Sequence, residues 1–298
     1  MRSLSFCMEE IIIRVAADQP SADNGVVRVR RIGEGDPLVF SHGAGFASDC
    51  FLDLTGRMAA SFSVYLLDLP GHGVNPEISE VTFSLELALA CMGAVCDEVA
   101  RRHDGLAPAL VCHSIASVVA LRLRAETPAR LSALVAYEPP LAQPDANAGI
   151  SVVDQSVLER RALGRKRTFD RVEDLAARYA RRDGGPGLSQ SAAAIVAAGL
   201  LRPAAGGGFE LRCAPEVEAK IYRTNHHFGL WPRLRDPGPS VTIMAGRRDG
   251  ASDYTADVAL QIAEVGGFDL ITLAGLSHLG WAEAPERAAP YIAAALGR

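Results

Sequence analysis

No uncharged apolar stretch in this sequence is long enough to span a bilayer, which excludes a transmembrane helix and a membrane partner. The leading Met1-Arg2-Ser3-Leu4-Ser5-Phe6-Cys7-Met8 meets Glu9-Glu10 before a secretory apolar core can form, so a cytoplasmic protein is expected. The six cysteines include no CxxC pair and no metal-type spacing with histidine. Buried free thiols, with no bound metal and no cofactor, are the expected outcome. Basic charge is not in excess: 30 Lys and Arg stand scattered against 35 Asp and Glu, leaving a net charge of −5 and no footprint for a nucleic-acid backbone. Internal repeats and low-complexity tracts are missing as well. What remains is a chain with 49% hydrophobic residues, ample for a sizeable buried core and a small-molecule substrate site. The sequence sets no oligomeric state; a homodimer is one option.

Ile11–Val15 and Val26–Arg31 read as a leading antiparallel pair of strands, after which strands and helices alternate. Leu38-Val39-Phe40, Val64–Leu67, Ala109–Cys112 and Leu131–Tyr137 are short apolar runs ending in turns, the pattern of buried parallel strands. Helices are predicted from about Ser48 to Ala60, after a cap at Thr82 or Ser84, and over Ser114–Arg124. Between about Gln143 and Asp236 the alternation lapses into helical patterns with no convincing strand, and Asp170 with Glu173 suggests a capping box there. Strand signals return at Val241–Met244 and Leu270–Leu273, so the intervening segment interrupts one sheet. The expected fold class is α/β: a mostly parallel eight-stranded sheet flanked by helices, with a helical cap inserted after strand 6. The divisions are core 1–142, cap 143–236 and core 237–298.

A serine hydroxyl is a weak nucleophile at neutral pH and needs a neighbouring base and donors for the oxyanion. Val111-Cys112-His113-Ser114-Ile115-Ala116 places Ser114 where a buried strand turns sharply into a helix, which would lift its Oγ clear of the sheet edge. The glycines of the G-x-S-x-G pattern are absent; Cys112 and Ala116 are the small residues in their places. Asp249 in Gly246-Arg247-Arg248-Asp249-Gly250 and His278 in Leu276-Ser277-His278-Leu279 each follow a strand, at the sheet edge where ligand sites of open α/β sheets gather. Serine, aspartate and histidine in that chain order form the expected triad, with Ser114 as nucleophile, His278 as base and Asp249 as orienting acid.

Together with Ser41-His42-Gly43-Ala44-Gly45-Phe46, Asp68-Leu69-Pro70-Gly71-His72-Gly73 and the run Trp281 to Glu286, these residues make the chain resemble the α/β-hydrolase-fold superfamily, in its capped serine esterase and C–C hydrolase group. The resemblance covers nearly the whole sequence. It implies an oxyanion hole from the backbone N–H groups of Ala44 and Ile115, and Glu138 as the alternative acid, because some relatives carry it after the sixth strand. His42, Phe46, His113, His227 and Trp231 are candidates for the substrate-binding surface, while His72 and Asp68 stabilise their loop. The adjacent His226 and His227 point apart in either regular structure and make a poor metal pair.

The implied reaction is hydrolysis of a carboxylic ester, thioester or lactone of a small to medium apolar substrate. Serine at the nucleophile position disfavours the haloalkane dehalogenase and epoxide hydrolase branches, which attack through a carboxylate. C–C bond hydrolysis of a diketone ring-fission product is the alternative, although those relatives usually place Trp after the histidine and Leu279 stands here. A weakly catalytic ligand-binding protein on the same fold is a third reading, kept open by the missing elbow glycines.

Overall fold

The computed structural model describes residues 8–15, 26–141, 155–181, 186–224, 229–247 and 254–298. Period-two patterning at the start of the chain builds β1 (Glu9–Arg14) and β2 (Val26–Ile32), an antiparallel pair that turns Ile11, Ile13, Val27 and Val29 inward. β3 (Asp36–Ser41) is followed by a 3-10 turn over Ser48–Phe51, α1 (Leu52–Met58) and β4 (Phe62–Leu67). Next come α2 (Leu85–Arg102), β5 (Ala109–His113), α3 (Ile115–Glu126) and β6 (Ala133–Tyr137). Ser84 caps α2, its Oγ accepting the Leu87 N–H at 3.0 Å.

The stretch between β6 and the next sheet strand carries α4 (Gln155–Leu163), β7 (Thr168–Phe169), α5 (Val172–Ala180), α6 (Gln190–Leu200), β8 (Leu201–Pro203), β9 (Phe209–Leu211) and α7 (Pro215–Thr224). It is therefore not helical alone. β7, β9 and β8 pair as a small antiparallel sheet, and strands of two or three residues are too short to show a period in sequence. The start of α5 is also displaced by one residue from the expected box: Asp174 accepts the Arg171 N–H at 3.2 Å. The chain then completes β10 (Ser240–Arg247), α8 (Tyr254–Gly266), β11 (Asp269–Ala274), α9 (Gly280–Glu283) and α10 (Pro285–Ala295).

The main sheet has eight strands in the order β1-β2-β4-β3-β5-β6-β10-β11, parallel from β4 to β11. α2, α3 and α8 contribute to one hydrophobic layer, and α1, α9 and α10 to the other, which continues into α5 and α6. Fully buried Leu38, Phe40, Leu66 and Val111 serve the second layer, while their neighbours Val39, Tyr65, Leu110 and Cys112 serve the first, as alternation across a pleated sheet demands. The order also locates the site. From β3 the chain goes to β4 on one side and later to β5 on the other, so the carboxyl ends of β3 and β5 diverge at a topological switch point. Ser41 pairs with Cys112 at that edge, which brings the His42-Gly43-Ala44 turn beside Ser114.

Cys50, Cys91, Cys96, Cys112 and Cys213 are free and buried. Burial pushes the Cys91 and Cys96 thiols up to about 12, so they act as small apolar groups. Among the described residues no helix is long and apolar enough to cross a membrane.

Candidate active site

β5 ends at His113 and α3 starts at Ile115, so Ser114 alone makes the turn between them. Its backbone sits at φ 55° and ψ −125°, a conformation that costs a non-glycine residue of order 1–3 kcal/mol. Hydrogen bonds on both sides hold it there: Ser114 N–H donates to Tyr137 O at 2.8 Å, and Ser114 O accepts from Ser117 N–H at 2.9 Å. Cys112 and Ala116 are both fully buried, and their small side chains fit where the glycine pattern is missing.

His278 Nε2 lies 3.0 Å from Ser114 Oγ, and His278 Nδ1 lies 2.6 Å from Glu138 Oε2. An ionised carboxylate only accepts, so Nδ1 carries the proton and Nε2 presents its lone pair to the serine hydroxyl. The acid in contact with the ring is thus Glu138, the alternative of the sequence reading, whereas Asp249 lies outside the described residues. Glu138 reaches the ring because β6 ends next to β5 and its last turn is sharp: φ is 44°, and its N–H donates to Met244 O at 2.9 Å. The carboxylate is fully buried and satisfied three times. Oε1 accepts the Gly246 N–H at 2.7 Å, and Oε2 accepts the Thr255 hydroxyl at 2.7 Å besides the imidazole.

The loop bearing His278 is held from several directions. Ser277 donates its N–H and hydroxyl to Glu283 at 2.8 and 2.7 Å, and its carbonyl accepts the Tyr137 hydroxyl at 2.7 Å. His113 Nε2–H donates to His278 O at 2.7 Å. Burial, with His278 nearby, keeps His113 well below the usual histidine range and hence neutral. Thr255, Tyr137 and Glu283 carried no signal in the sequence. Each acts across more than one element, and only their convergence marks them.

Ile115 N–H is the first of α3, and the opening N–H groups of a helix have no intrahelical partner. The Gly43-Ala44 turn lies against Ser114 so closely that a Cβ on Gly43 would sit 2.9 Å from Ser114 Cβ and 2.8 Å from His113 Nδ1. Gly45 closes the turn at φ 71°, and Phe46 N–H donates to Gly43 O at 3.1 Å. Behind it, Gly45 N–H donates to His72 Nε2 at 3.2 Å while His72 Nδ1–H donates to Pro70 O at 2.9 Å. Burial first, and the nearby His42, lower His72 to about 3, so it serves as a neutral strut. Against the upward push of burial, His42 and Arg30 hold the Asp68 carboxyl well below the usual range. It accepts Ser48 N–H at 2.7 Å and Val74 N–H at 3.0 Å.

The remaining candidates separate by position. His42 is fully buried, with Nδ1 2.8 Å from Gly43 O and Nε2 3.1 Å from Leu69 N and 3.4 Å from Asp68 Oδ1, so it braces the turn. His113 is also fully buried and serves the His278 loop. Trp231 is half-buried and packs against the α2, α3 and α8 layer. His227 lies outside the described residues. Phe46 lines a cavity together with side chains of α4, α5 and α7. Among the described residues no group of His, Cys, Asp and Glu converges as metal ligands.

A family model described as the alpha/beta hydrolase family matches residues 38–290. The chain is 31% identical over 109 residues to a pimeloyl-(acyl-carrier protein) methyl ester esterase of Aeromonas hydrophila, a match covering 37% of this chain and 40% of that protein. It is 31% identical over 137 residues to the protein of the same name from Chromobacterium violaceum, covering 43% and 50%. The chain thus spans half or less of the length of these curated relatives. In three dimensions it is similar to E-2-(acetamidomethylene)succinate hydrolase, with a TM-score of 0.77 at 20% identity over 97% of this chain and 100% of the other, a likeness of fold.

Proposed function

The chain belongs to the alpha/beta hydrolase family, and from that membership we propose that it is a serine hydrolase cleaving carboxylic esters through an acyl-enzyme. The observation that carries the reading is the unbroken relay of hydrogen bonds from Ser114 Oγ to His278 at 3.0 Å and from His278 to Glu138 at 2.6 Å.

In this mechanism His278 Nε2 takes the Ser114 proton as Oγ bonds to the acyl carbon. The carbonyl oxygen becomes an oxyanion that receives the N–H groups of Ile115 and Ala44. The buried Glu138 carboxylate stabilises the imidazolium that forms and holds its orientation. Collapse of the tetrahedral species breaks the C–O bond to the alcohol, which leaves with the proton from His278. Water, deprotonated by His278, then attacks the acyl-enzyme, returns Ser114 Oγ–H and releases the acid. Thioesters and lactones offer the same carbonyl chemistry. The esterase names of the relatives support the oxygen ester as the first choice.

A panel of p-nitrophenyl esters of increasing chain length tests this reading, with a fluorophosphonate as covalent probe. Turnover is expected to fall by about 10³-fold or more in Ser114→Ala, and mass spectrometry is expected to place the probe on Ser114. Turnover unchanged by that substitution would overturn the assignment of the nucleophile.

A further inference from the structure

The cavity that Phe46 lines has a volume of about 420 Å³ and lies between the oxyanion turn and α4, α5 and α7. The sequence led to the expectation of an apolar substrate, with Phe46 a candidate for its surface. Beside the apolar Phe46, Leu158, Ala162, Leu175 and Pro186, the wall presents three guanidinium groups, Arg161, Arg165 and Arg178, against one carboxylate, Glu218, together with Tyr179 and Tyr222.

These charges are not equivalent. Arg165 is ion-paired with the buried Glu218 directly over Gly45, where a Cβ would meet Glu218 Oε2 at 2.6 Å and Arg165 Nη1 at 2.7 Å. That pair therefore neutralises itself. Arg161 and Arg178 are exposed to the cavity mouth, and neither has an acidic partner among the described residues. Arg178 is steadied by the Phe169 ring, 5.5 Å from its centroid. Burial pushes the Tyr179 phenol up to about 12 and raises Tyr222 as well, so both stay protonated and able to donate. Guanidinium groups donate and never accept. The wall is thus rich in donors and positive charge and asks for an anionic acceptor.

The cavity also approaches Ser114. Phe46, in its wall, meets the His113 ring edge-on with centroids 6.3 Å apart, and Ser114 follows His113 in the chain.

The geometry points to a half-ester of a dicarboxylic acid as substrate: the ester carbonyl seats at Ser114, and the free carboxylate at the other end of the acyl chain is bound by Arg161 and Arg178. The planar guanidinium fork matches a carboxylate. The position of the carbonyl rests on the serine-hydrolase reading; the anion-binding wall does not.

The test measures binding without turnover, so that it stands apart from the fate of the hydrolase assignment. The Ser114→Ala protein is titrated by NMR with monomethyl glutarate and, separately, with the neutral methyl pentanoate. The charged ester is expected to bind about tenfold tighter or better, with the advantage shrinking at high ionic strength. In Arg161→Gln/Arg178→Gln, two exposed positions whose replacement leaves the core intact, the ratio is expected to fall toward one. Equal affinity for the two esters, no measurable binding of the charged one, or a ratio unchanged in the double variant would overturn the proposal. So would inorganic phosphate binding as tightly as the half-ester. A charged-ester preference in a protein that shows no Ser114-dependent cleavage would retain the anion site and remove the hydrolase reading.

Discussion

Glu138 Oε2 lies 2.6 Å from His278 Nδ1, across 140 positions of sequence, and the same oxygen accepts the Thr255 hydroxyl at 2.7 Å. The imidazole is therefore in contact with a carboxylate at the end of β6, while Asp249 lies outside the described residues.

Exchanging the two acids one at a time tests that arrangement. Glu138→Gln keeps the size of the side chain but replaces an acceptor with an amide, which favours the wrong imidazole tautomer. The kcat for a p-nitrophenyl ester is expected to drop by about 10²–10⁴-fold, while Asp249→Asn stays near the wild-type rate. The reverse pattern would assign the acid to Asp249.

Strain at the nucleophile gives a stability prediction of unusual sign. Ser114 holds φ 55°, which glycine adopts without a Cβ penalty. Ser114→Gly is expected to raise stability by about 1 kcal/mol, seen as about 2–4 °C in Tm, while activity is lost. Ser114→Ala, which keeps the Cβ, removes the same hydroxyl without that gain. Equal melting temperatures for the two variants would argue against stored strain.

The Gly43 turn is expected to tolerate no side chain. A Cβ there would meet Ser114 Cβ at 2.9 Å and His113 Nδ1 at 2.8 Å, so Ser114 or His113 must shift. Gly43→Ala is expected to lower kcat by about 10²-fold or more, the scale of losing an oxyanion donor. Ester kinetics and circular dichroism, measured together, separate this from unfolding; a folded variant of wild-type activity would count against the turn as the oxyanion site.

Acid sensitivity follows from two buried imidazoles. Burial, with His42 close by, lowers His72 from 6.5 to about 3, and burial beside His278 takes His113 well below 6.5. Both are neutral in the fold, whereas the unfolded chain binds protons near 6.5, so the unfolded state holds more protons below that pH. Stability is full above about pH 6.5 and falls as the pH drops toward 3, by up to about 1.4 kcal/mol per pH unit for each ring. Urea midpoints between pH 7 and 4 measure this slope, and His72→Gln is expected to flatten it. A wild-type midpoint independent of pH over that range would contradict the neutral-strut role.

The sequence by itself determined the sheet and singled out Ser114 and His278 at its edge. Burial on both faces writes itself as uninterrupted hydrophobicity in β3, β4, β5, β6 and β10, while alternation marks the one-sided burial of β1 and β2. Ser114 was legible because it directly follows such a run and His278 because it lies in the turn after β11, and a strand end dictates the edge at which the chain emerges. The short strands β7, β8 and β9 were not legible, since two or three residues carry no period. Which acid meets His278, that His42 and His113 are fully buried against backbone groups, and that guanidinium groups line the cavity beside Phe46 were decided only by tertiary structure. Hydrogen-bonding partners depend on a few ångströms between strands joined by long connections. Spacing along the chain places a residue on an edge, but it does not set where the side chain ends.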